Sequence, residues 1–164
     1  MITSWWRMKI IPLLWGFFFS FFLDQVTKWW AMTFLYGKDI PVFPGLFELT
    51  LQKNAGSAFS LRLLTPTWLF LVTVLISLIF LILTFWPSFR MKASFYAGVG
   101  LFLAGAWGNQ VDRFRFGYVI DFLKPSFWAT FNVADLSIIV GLLLIFLNVW
   151  MNDTISKKTK NQSL

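Results

Sequence analysis

Long runs of mainly apolar residues constrain this chain more than any other feature. The clearest is TWLFLVTVLISLIFLILTFW at 67–86, and similar stretches lie at about 10–30, 94–111 and 131–150. A helix needs about 20 mainly apolar residues to cross a bilayer. Only 13% of the residues are charged, whereas about a quarter are charged in an ordinary soluble domain. The sequence therefore predicts an all-α integral membrane protein with four transmembrane helices.

Basic residues near the helix ends predict the orientation. With both termini in the cytoplasm, three short flanks close to helix ends hold Arg7, Lys9, Arg90, Lys92, Lys157, Lys158 and Lys160. Lys and Arg in such flanks favour the cytoplasmic side. We therefore expect one membrane domain over 1–151, extracytoplasmic segments at 31–66 and 112–130, and a basic, disordered cytoplasmic tail over 152–164. The net charge of +7 then reflects topology and contact with anionic lipids, without any binding of nucleic acid.

The longer extracytoplasmic segment contains one predicted strand. FELTLQKN at 47–54 alternates apolar and polar residues, which is typical of a half-buried strand. Pro41, Pro44 and Gly45 interrupt the chain just before it. We expect a small extracytoplasmic β-element that rests on the helix ends.

Two residue types that carry much of enzyme chemistry are missing altogether. The chain has no Cys and no His, which excludes thiol nucleophiles, thiolate metal sites and catalytic triads that depend on His. No metal and no cofactor are expected, and carboxylates are the favoured acid and base. A Ser–Lys dyad ranks well below them, because no Ser clearly faces a buried Lys in the pattern.

Ionisable residues at membrane depth are costly, so each one is a candidate for function. Asp24 and Lys28 are four residues apart on one helix face, where a salt bridge that anchors the helix end is the simplest role. On the third predicted helix, Gly100, Ala104 and Gly108 recur every four residues and predict a smooth packing face.

That packing face brings further polar residues to the outer interface. Asn109 and Asp112 share a helix face, and Asp112 and Arg113 could form a local ion pair. Asp121 in GYVIDFL and Asp135 in FNVAD follow on the same side of the membrane. Asp135 alone could simply favour the helix N-terminus through the helix dipole.

Two carboxylates in one partly dry site have a distinct chemistry. They cannot both ionise easily, so the pair shares a proton. One member can then deprotonate a water while the other polarises a carbonyl, as in aspartic proteases. Such a pair requires neither His, Cys nor metal, which suits this composition, and spacing alone predicts a carboxylate site at this interface.

Four motifs stand in order along most of the chain: DQVTK at Asp24–Lys28, NAGSAF at Asn54–Phe59, GNQVDRFRFGYVIDF at Gly108–Phe122, and FNVAD at Phe131–Asp135. Together they resemble the motifs of the lipoprotein signal peptidase (signal peptidase II) family, and the third is the most specific. One departure lies at Leu136, where many members of that family have a small polar residue.

The resemblance implies a bacterial inner-membrane aspartyl endopeptidase, with its active site at the periplasmic face, that removes the signal peptide from prolipoproteins before a diacylglyceryl-modified Cys. By motif, Asp121 and Asp135 would be the catalytic pair, with water as the nucleophile. The residues implied to support the site or bind substrate are Asn54, Asn109, Asp112, Arg113 and Asn132, while Asp24, Lys28 and Gly108 are structural candidates. The implied partners are prolipoproteins and membrane lipids, and the protein is expected to be monomeric.

Two other functions remain open at this point. The first is a small proton-coupled transporter or channel with an interfacial carboxylate cluster, in which Asp24, Asp112, Asp121 and Asp135 act as a relay. The second is a non-catalytic scaffold packed through small-residue faces. The grouping of the four acids at one interface counts against the relay, which would need to cross the membrane.

Overall fold

The computed structural model describes residues 2–55, 66–86 and 91–162, and this part of the chain forms four helices and three strands. The helices are α1 (Ile2–Phe34), α2 (Pro66–Phe85), α3 (Ala93–Phe116) and α4 (Val133–Gln162), and the strands are β1 (Asp39–Phe43), β2 (Phe47–Asn54) and β3 (Val119–Pro125). Each helix overlaps one predicted span. Three of the helices are longer than predicted, because a helix can continue through polar turns beyond its apolar stretch.

Three of the described helices are long and apolar enough to cross a membrane, over Trp6–Phe34, Thr67–Phe85 and Val133–Asn152. Of the four predicted transmembrane helices, three are therefore long and apolar enough to cross a membrane. The remaining helix, α3, is rich in Gly and Ala and contains the polar stretch NQVDR near its C-terminal end.

The central helix of the bundle is α3, which packs closely on both α1 and α4. On one side, Gly100 lies against the backbone of α1, and Gly108 lies against the side chain of Asp24. On the other side, Gly98 and Gly105 lie against α4. Glycines at these positions let the helix backbones approach without intervening side chains, as is common in membrane helices.

The fourth helix of the bundle, α2, packs against α3 mainly through aromatic side chains. The ring of Phe70 meets those of Trp107 and Phe114 edge-on, with centroid distances of 6.3 and 5.3 Å. Trp107 Nε1 donates a hydrogen bond to Ser77 Oγ at 3.0 Å. The resulting contact fixes α2 on the outside of the α1–α3–α4 group.

The three strands form one antiparallel sheet in the order β1-β2-β3. The strand predicted at FELTLQKN is confirmed, since it coincides with β2. The sheet packs on the last turns of α1, where Ala31, Leu35 and Phe122 form a buried apolar cluster. Gly117 ends α3 with a φ of 79°, a left-handed conformation that glycine adopts easily, and the chain turns there into β3.

Two features differ from the predictions. A strand, β3, occupies part of the segment 112–130, for which the sequence indicates no regular structure. Most of its residues are buried, so the alternation that marks a half-buried strand is absent. In addition, α4 continues to Gln162, through most of the predicted disordered tail over 152–164. No Pro or Gly follows Gly141, so nothing in the sequence interrupts the helix there.

Candidate active site

Asp121 lies in the middle of β3 and is almost fully buried, with 2% of its surface exposed. Both carboxylate oxygens accept amide hydrogen bonds, Oδ1 from Asn132 Nδ2 at 2.8 Å and Oδ2 from Asn54 Nδ2 at 2.9 Å. Burial raises the pKa of the Asp121 carboxyl from 3.8 to about 6. The charge of Asp135 acts in the same direction, and the hydrogen bonds from Asn54 and Asn132 act against it. This carboxyl can therefore exchange a proton near neutral pH.

Asp135 lies in the first turn of α4, where it forms a reciprocal cap with Asn132. The N–H of Asp135 donates to Asn132 Oδ1 at 3.0 Å, and the N–H of Asn132 donates to Asp135 Oδ2 at 3.2 Å. Each side chain thus satisfies a backbone N–H that has no partner within the helix. Asp135 therefore has a structural role at the N-terminus of α4. Its side chain is also half-exposed, and Oδ1 accepts a further hydrogen bond.

Two asparagine side chains connect the two carboxylates. Asn132 Nδ2, which binds Asp121, also donates to Asn109 Oδ1 at 3.0 Å. Asn109 Nδ2 in turn donates to Asp135 Oδ1 at 2.8 Å. Asn109 belongs to α3, Asn132 precedes α4, and Asp121 belongs to β3, so three elements meet here. The amide network fixes the positions of the two carboxylates relative to each other.

A buried lysine on α1 supports this network. Lys28 Nζ lies 2.7 Å from Asp112 Oδ2, 2.9 Å from Asp24 Oδ2 and 3.0 Å from Asn109 Oδ1. An ammonium has three protons, so each of them has an acceptor. The salt bridge expected between Asp24 and Lys28 is present, and Asp112 joins it from α3. Two buried carboxylates and one buried cation thus tie α1 to α3.

The same two acids also bind backbone N–H groups. Asp24 Oδ1 accepts a hydrogen bond from the N–H of Ala134 at 2.9 Å, and Asp112 Oδ2 accepts one from the N–H of Ile120 at 3.2 Å. These contacts join α1 to the start of α4 and α3 to β3. The sequence analysis missed them, and no residue pattern signals them, because almost any residue type can supply a backbone N–H.

Arg113 does not form the local ion pair that the sequence suggested. Asp112 pairs with Lys28, whereas Arg113 Nη1 donates to the carbonyl oxygen of Asn109 at 3.3 Å, one turn earlier in α3. Neighbouring residues in a helix point to different sides, which explains why Asp112 and Arg113 find different partners. Arg113 is therefore adjacent to the asparagine network without being part of the salt bridge.

Three of the four sequence motifs contribute most of the side chains in this cluster. From the motif NAGSAF, Asn54 reaches Asp121, and residues 56–59 lie outside the described residues. Leu136, where the fourth motif departs from the family pattern, has an exposed side chain, and its N–H donates to the carbonyl of Asn132 at 3.3 Å. The leucine side chain is therefore not part of the hydrogen-bond network.

The assembled residues favour acid–base chemistry by carboxylates. In the described ranges, no group of three or more His, Cys, Asp or Glu side chains could hold a metal ion. Asp121, whose pKa is raised, and the half-exposed Asp135 can together take a proton from water and return one to a reacting group.

The carboxylates lie together at one end of the bundle. The other buried charge among the described residues, Lys9, donates to the carbonyl of Thr84 at the end of α2. This grouping favours a local reaction over a relay across the membrane.

Comparison with known proteins gives one consistent family. Residues 17–151 match the family model described as signal peptidase (SPase) II. The chain is 39% identical over 133 residues to the lipoprotein signal peptidase of Trichormus variabilis, covering 79% of this chain and 84% of that protein. It is 34% identical over 134 residues to the lipoprotein signal peptidase of Halothermothrix orenii, covering 81% of this chain and 91% of that protein.

Solved structures show a similar architecture. A bacterial membrane enzyme determined by the in meso method at 2.3 Å resolution superposes with a TM-score of 0.77 at 28% identity, covering 90% of this chain and 92% of that one. A second, determined by the same method at 1.9 Å, gives a TM-score of 0.73 at 27% identity, covering 85% of this chain and 93% of that one. The similarity therefore extends over nearly the whole fold.

Proposed function

The chain belongs to the signal peptidase II family, and on that premise we propose that it is an aspartic endopeptidase that removes the signal peptide from bacterial prolipoproteins. Family membership supports the cleavage of prolipoprotein signal peptides. The observation that carries the aspartic mechanism is the position of Asn132, which donates hydrogen bonds to Asp121 and Asp135 at once. A single side chain and its backbone thus hold the two carboxylates next to each other.

In the proposed reaction, a water between Asp121 and Asp135 attacks the scissile carbonyl. One carboxylate accepts a proton from the water, and the other, protonated, donates a hydrogen bond to the carbonyl oxygen. The tetrahedral intermediate then collapses, and a proton passes to the leaving amine. The raised pKa of Asp121 supports this scheme, because its carboxyl holds a proton at a pH where an ordinary Asp is ionised.

The surrounding polar residues are proposed to hold the two carboxylates in place. Asn109 and Asn132 connect them, and Asn54 donates a hydrogen bond to Oδ2 of Asp121. The remaining supporting residues proposed are Asp112 and Arg113, while Asp24, Lys28 and Gly108 are proposed to have structural roles at the junction of α1 and α3. Because these groups form a packed network, the carboxylates are pre-positioned before substrate binds.

We propose that the substrate carries a diacylglyceryl group and is cut immediately before the Cys that bears it. The carboxylates lie at the end of the helical bundle beside the sheet, so a lipid-anchored peptide can approach from the bilayer and water from outside. The apolar helices and the membrane-enzyme family are consistent with an inner-membrane protein. The orientation proposed is multi-pass, with both termini cytoplasmic and the site at the periplasmic face.

We further propose that α3 crosses the membrane as the fourth span. Its glycine faces pack along α1 and α4, both of which qualify as membrane helices, and this packing supports a position of α3 at the same depth. Its 24 residues extend about 36 Å at 1.5 Å per residue. Residues 1–151 then form one membrane domain with outer segments at 31–66 and 112–130. A monomer suffices for activity, because one chain supplies both carboxylates and the network around them.

The decisive experiment is cleavage of a purified prolipoprotein by the protein reconstituted in lipid. The substrate is supplied with and without its diacylglyceryl group, and mass spectrometry identifies the bond that is cut. The expected result is cleavage of the modified form alone, before the modified Cys.

Two aspartate variants accompany that assay. Asp121→Asn is expected to lose activity by roughly 10³-fold or more, whereas Asp39→Asn, on the exposed edge strand β1, is expected to cleave normally. A folded Asp121→Asn variant that still cleaves would overturn the aspartic mechanism. A folded wild-type protein that cleaves neither substrate would overturn the proposed activity itself.

A further inference from the structure

The far end of the sheet carries an uncharged apolar surface. Two segments form this sheet tip: residues 43–47, where β1 turns into β2, and residues 126–130 after β3. Their sequences, FPGLF and SFWAT, contain no ionisable residue. The N–H of Ser126 donates to the carbonyl of Leu46 at 2.9 Å, which joins the two segments into one surface.

Four large apolar side chains of the sheet tip are strongly exposed. The exposed fractions are 81% for Phe127, 64% for Leu46, 63% for Phe43 and 62% for Trp128. Neighbouring apolar side chains with this degree of exposure mark an interaction surface. The nearest charged residues on the strands are Lys124 and Glu48, which form an exposed ion pair. They are the strand pair next to Pro125 and Phe47.

The strands carry the tip away from the two carboxylates. Pro125, which pairs with the first residue of β2, lies four residues beyond Asp121 along β3, or about 13 Å at the usual strand rise. Between these points the sheet packs on Ala31 in the last turn of α1 and on Leu35 directly after it. The sheet tip therefore lies farther along the strands than the contacts that attach the sheet to the bundle.

Several exposed apolar side chains lie between the end of α1 and the tip, together with the exposed Lys38 and Asp39. Trp29, near the end of α1, is exposed, and so are Tyr36 in the following turn and Val42 on β1. Phe43 comes next and begins the tip. β1 begins at Asp39, shortly after α1 ends at Phe34. Since α1 is long and apolar enough to cross a membrane, the sheet stays close to the end of a membrane helix.

We propose that the sheet tip inserts into the lipid–water interface of the membrane, at the end of the bundle where α1 ends. Aromatic and aliphatic side chains favour that interface, and the absence of charge in both segments removes the main penalty for entering it. The insertion fixes the height of the sheet, and of Asp121 on it, relative to the membrane surface. This inference does not rest on the proposed function.

The test uses the natural absence of cysteine in this chain. Phe127→Cys and Leu46→Cys variants each receive an environment-sensitive NBD label and are reconstituted in liposomes that contain lipids with a shallow doxyl quencher. Phe22→Cys, at an exposed apolar position in α1, serves as the lipid-facing reference. Gln52→Cys, exposed on β2 near the other end of the sheet, serves as the water-facing reference.

The expected result is blue-shifted emission from both tip labels and doxyl quenching several-fold stronger than for the label at position 52. Tip labels quenched no more than that label, while the label at position 22 is quenched, would overturn the proposal. Blue-shifted emission without doxyl quenching, lost on dilution below one copy per liposome, would assign the tip to a second copy of the chain and also overturn it. Melting temperatures in detergent check that each labelled variant is folded.

Discussion

Lys28 Nζ lies 3.0 Å from Asn109 Oδ1, and this contact determines which way the Asn109 amide points. Because the amide oxygen faces the ammonium, the Nδ2 group is left to donate to Asp135 at 2.8 Å. A buried cation on α1 thereby controls a hydrogen bond to a carboxylate at the start of α4. The structural salt bridge and the candidate catalytic pair belong to one network.

Replacing that cation should destabilise the fold strongly. Lys28→Met leaves Asp24 and Asp112 buried without a counter-charge, and removing one partner from a buried ion pair typically costs about 3–5 kcal/mol. Thermal unfolding in detergent measures the effect. The matched control is Lys124→Met, whose exposed pair with Glu48 should contribute at most about 1 kcal/mol. Equal losses for the two variants would contradict the importance of the buried network.

Two variants of Asn132 can distinguish its role as a helix cap from its hydrogen bond to Asp121. Asn132→Ser retains a good helix cap, but the shorter side chain cannot reach Asp121. We expect a loss of about 1–3 kcal/mol of stability, because a buried oxygen of Asp121 loses its donor, and a loss in kcat/KM of roughly 10-fold or more, the equivalent of one hydrogen bond to a charged group. Asn132→Ala should lose the same activity and, in addition, about 1 kcal/mol of stability. Full activity in the serine variant would show that the contact with Asp121 is unimportant for catalysis.

Asp135→Asn tests the second carboxylate with little change in shape. The amide oxygen of the new side chain can still accept the hydrogen bond from the N–H of Asn132, so α4 should remain capped. Activity should nevertheless fall by roughly 10³-fold or more, because one ionisable member of the pair is gone. Prolipoprotein cleavage and melting temperature are measured together. A well-folded variant that cleaves at the wild-type rate would exclude Asp135 from the chemistry.

The raised pKa of Asp121 predicts a dependence of stability on pH. Between its ordinary pKa of 3.8 and the folded value of about 6, the folded protein keeps a proton that the unfolded chain has released. The contribution of this group to stability is therefore complete below about pH 4, falls as pH rises to about 6, and is constant above, a change of about 3 kcal/mol. Asp121→Asn should lack this loss.

Melting curves of the wild type and Asp121→Asn between about pH 4 and pH 7 measure that difference. The stability of the variant relative to the wild type should increase with pH up to about 6. Infrared spectra should show a protonated carboxyl band that disappears over the same range and is missing from the variant. Parallel melting curves would contradict the raised pKa.

Gly108→Leu should disrupt the contact between α3 and α1. A side chain at this position would meet the carboxylate of Asp24, which is already engaged with Lys28 and with the N–H of Ala134. Overpacking of this kind costs about 1–3 kcal/mol or more. Yield and melting temperature of the purified variant test the effect. The control is Ala93→Leu at the exposed start of the same helix, and similar behaviour of the two variants would count against the packing face.

Several parts of this structure are predictable from local sequence. The alternation in FELTLQKN identifies β2, and the spacing of Asp24 and Lys28 indicates their salt bridge. The pattern N-x-x-D at Asn132 and Asp135 resembles a capping box, and it could have indicated their mutual hydrogen bonds. Each of these features depends on residues within one turn or one strand.

Other parts depend on how distant elements meet. β3 gives no alternating signal, because its first four residues are all buried, whichever way they point. The pairing of Asp112 with Lys28, instead of with Arg113, follows from the packing of α3 against α1. Likewise, the meeting of Asn109 with Asn132 requires α3 and the start of α4 to be in place. Such contacts between elements have no periodic signature in the sequence.

The double role of Asn132 has a consequence for the biogenesis of this protein. The residue that precedes α4 also binds Asp121, so the last helix and the candidate site form together. A nascent chain with only α1, α2 and α3 inserted carries Asp121 but neither Asn132 nor Asp135. Such a chain has one of the two carboxylates and no amide network to hold it. On the proposed two-aspartate mechanism, hydrolytic activity would therefore begin only after α4 has been made and inserted.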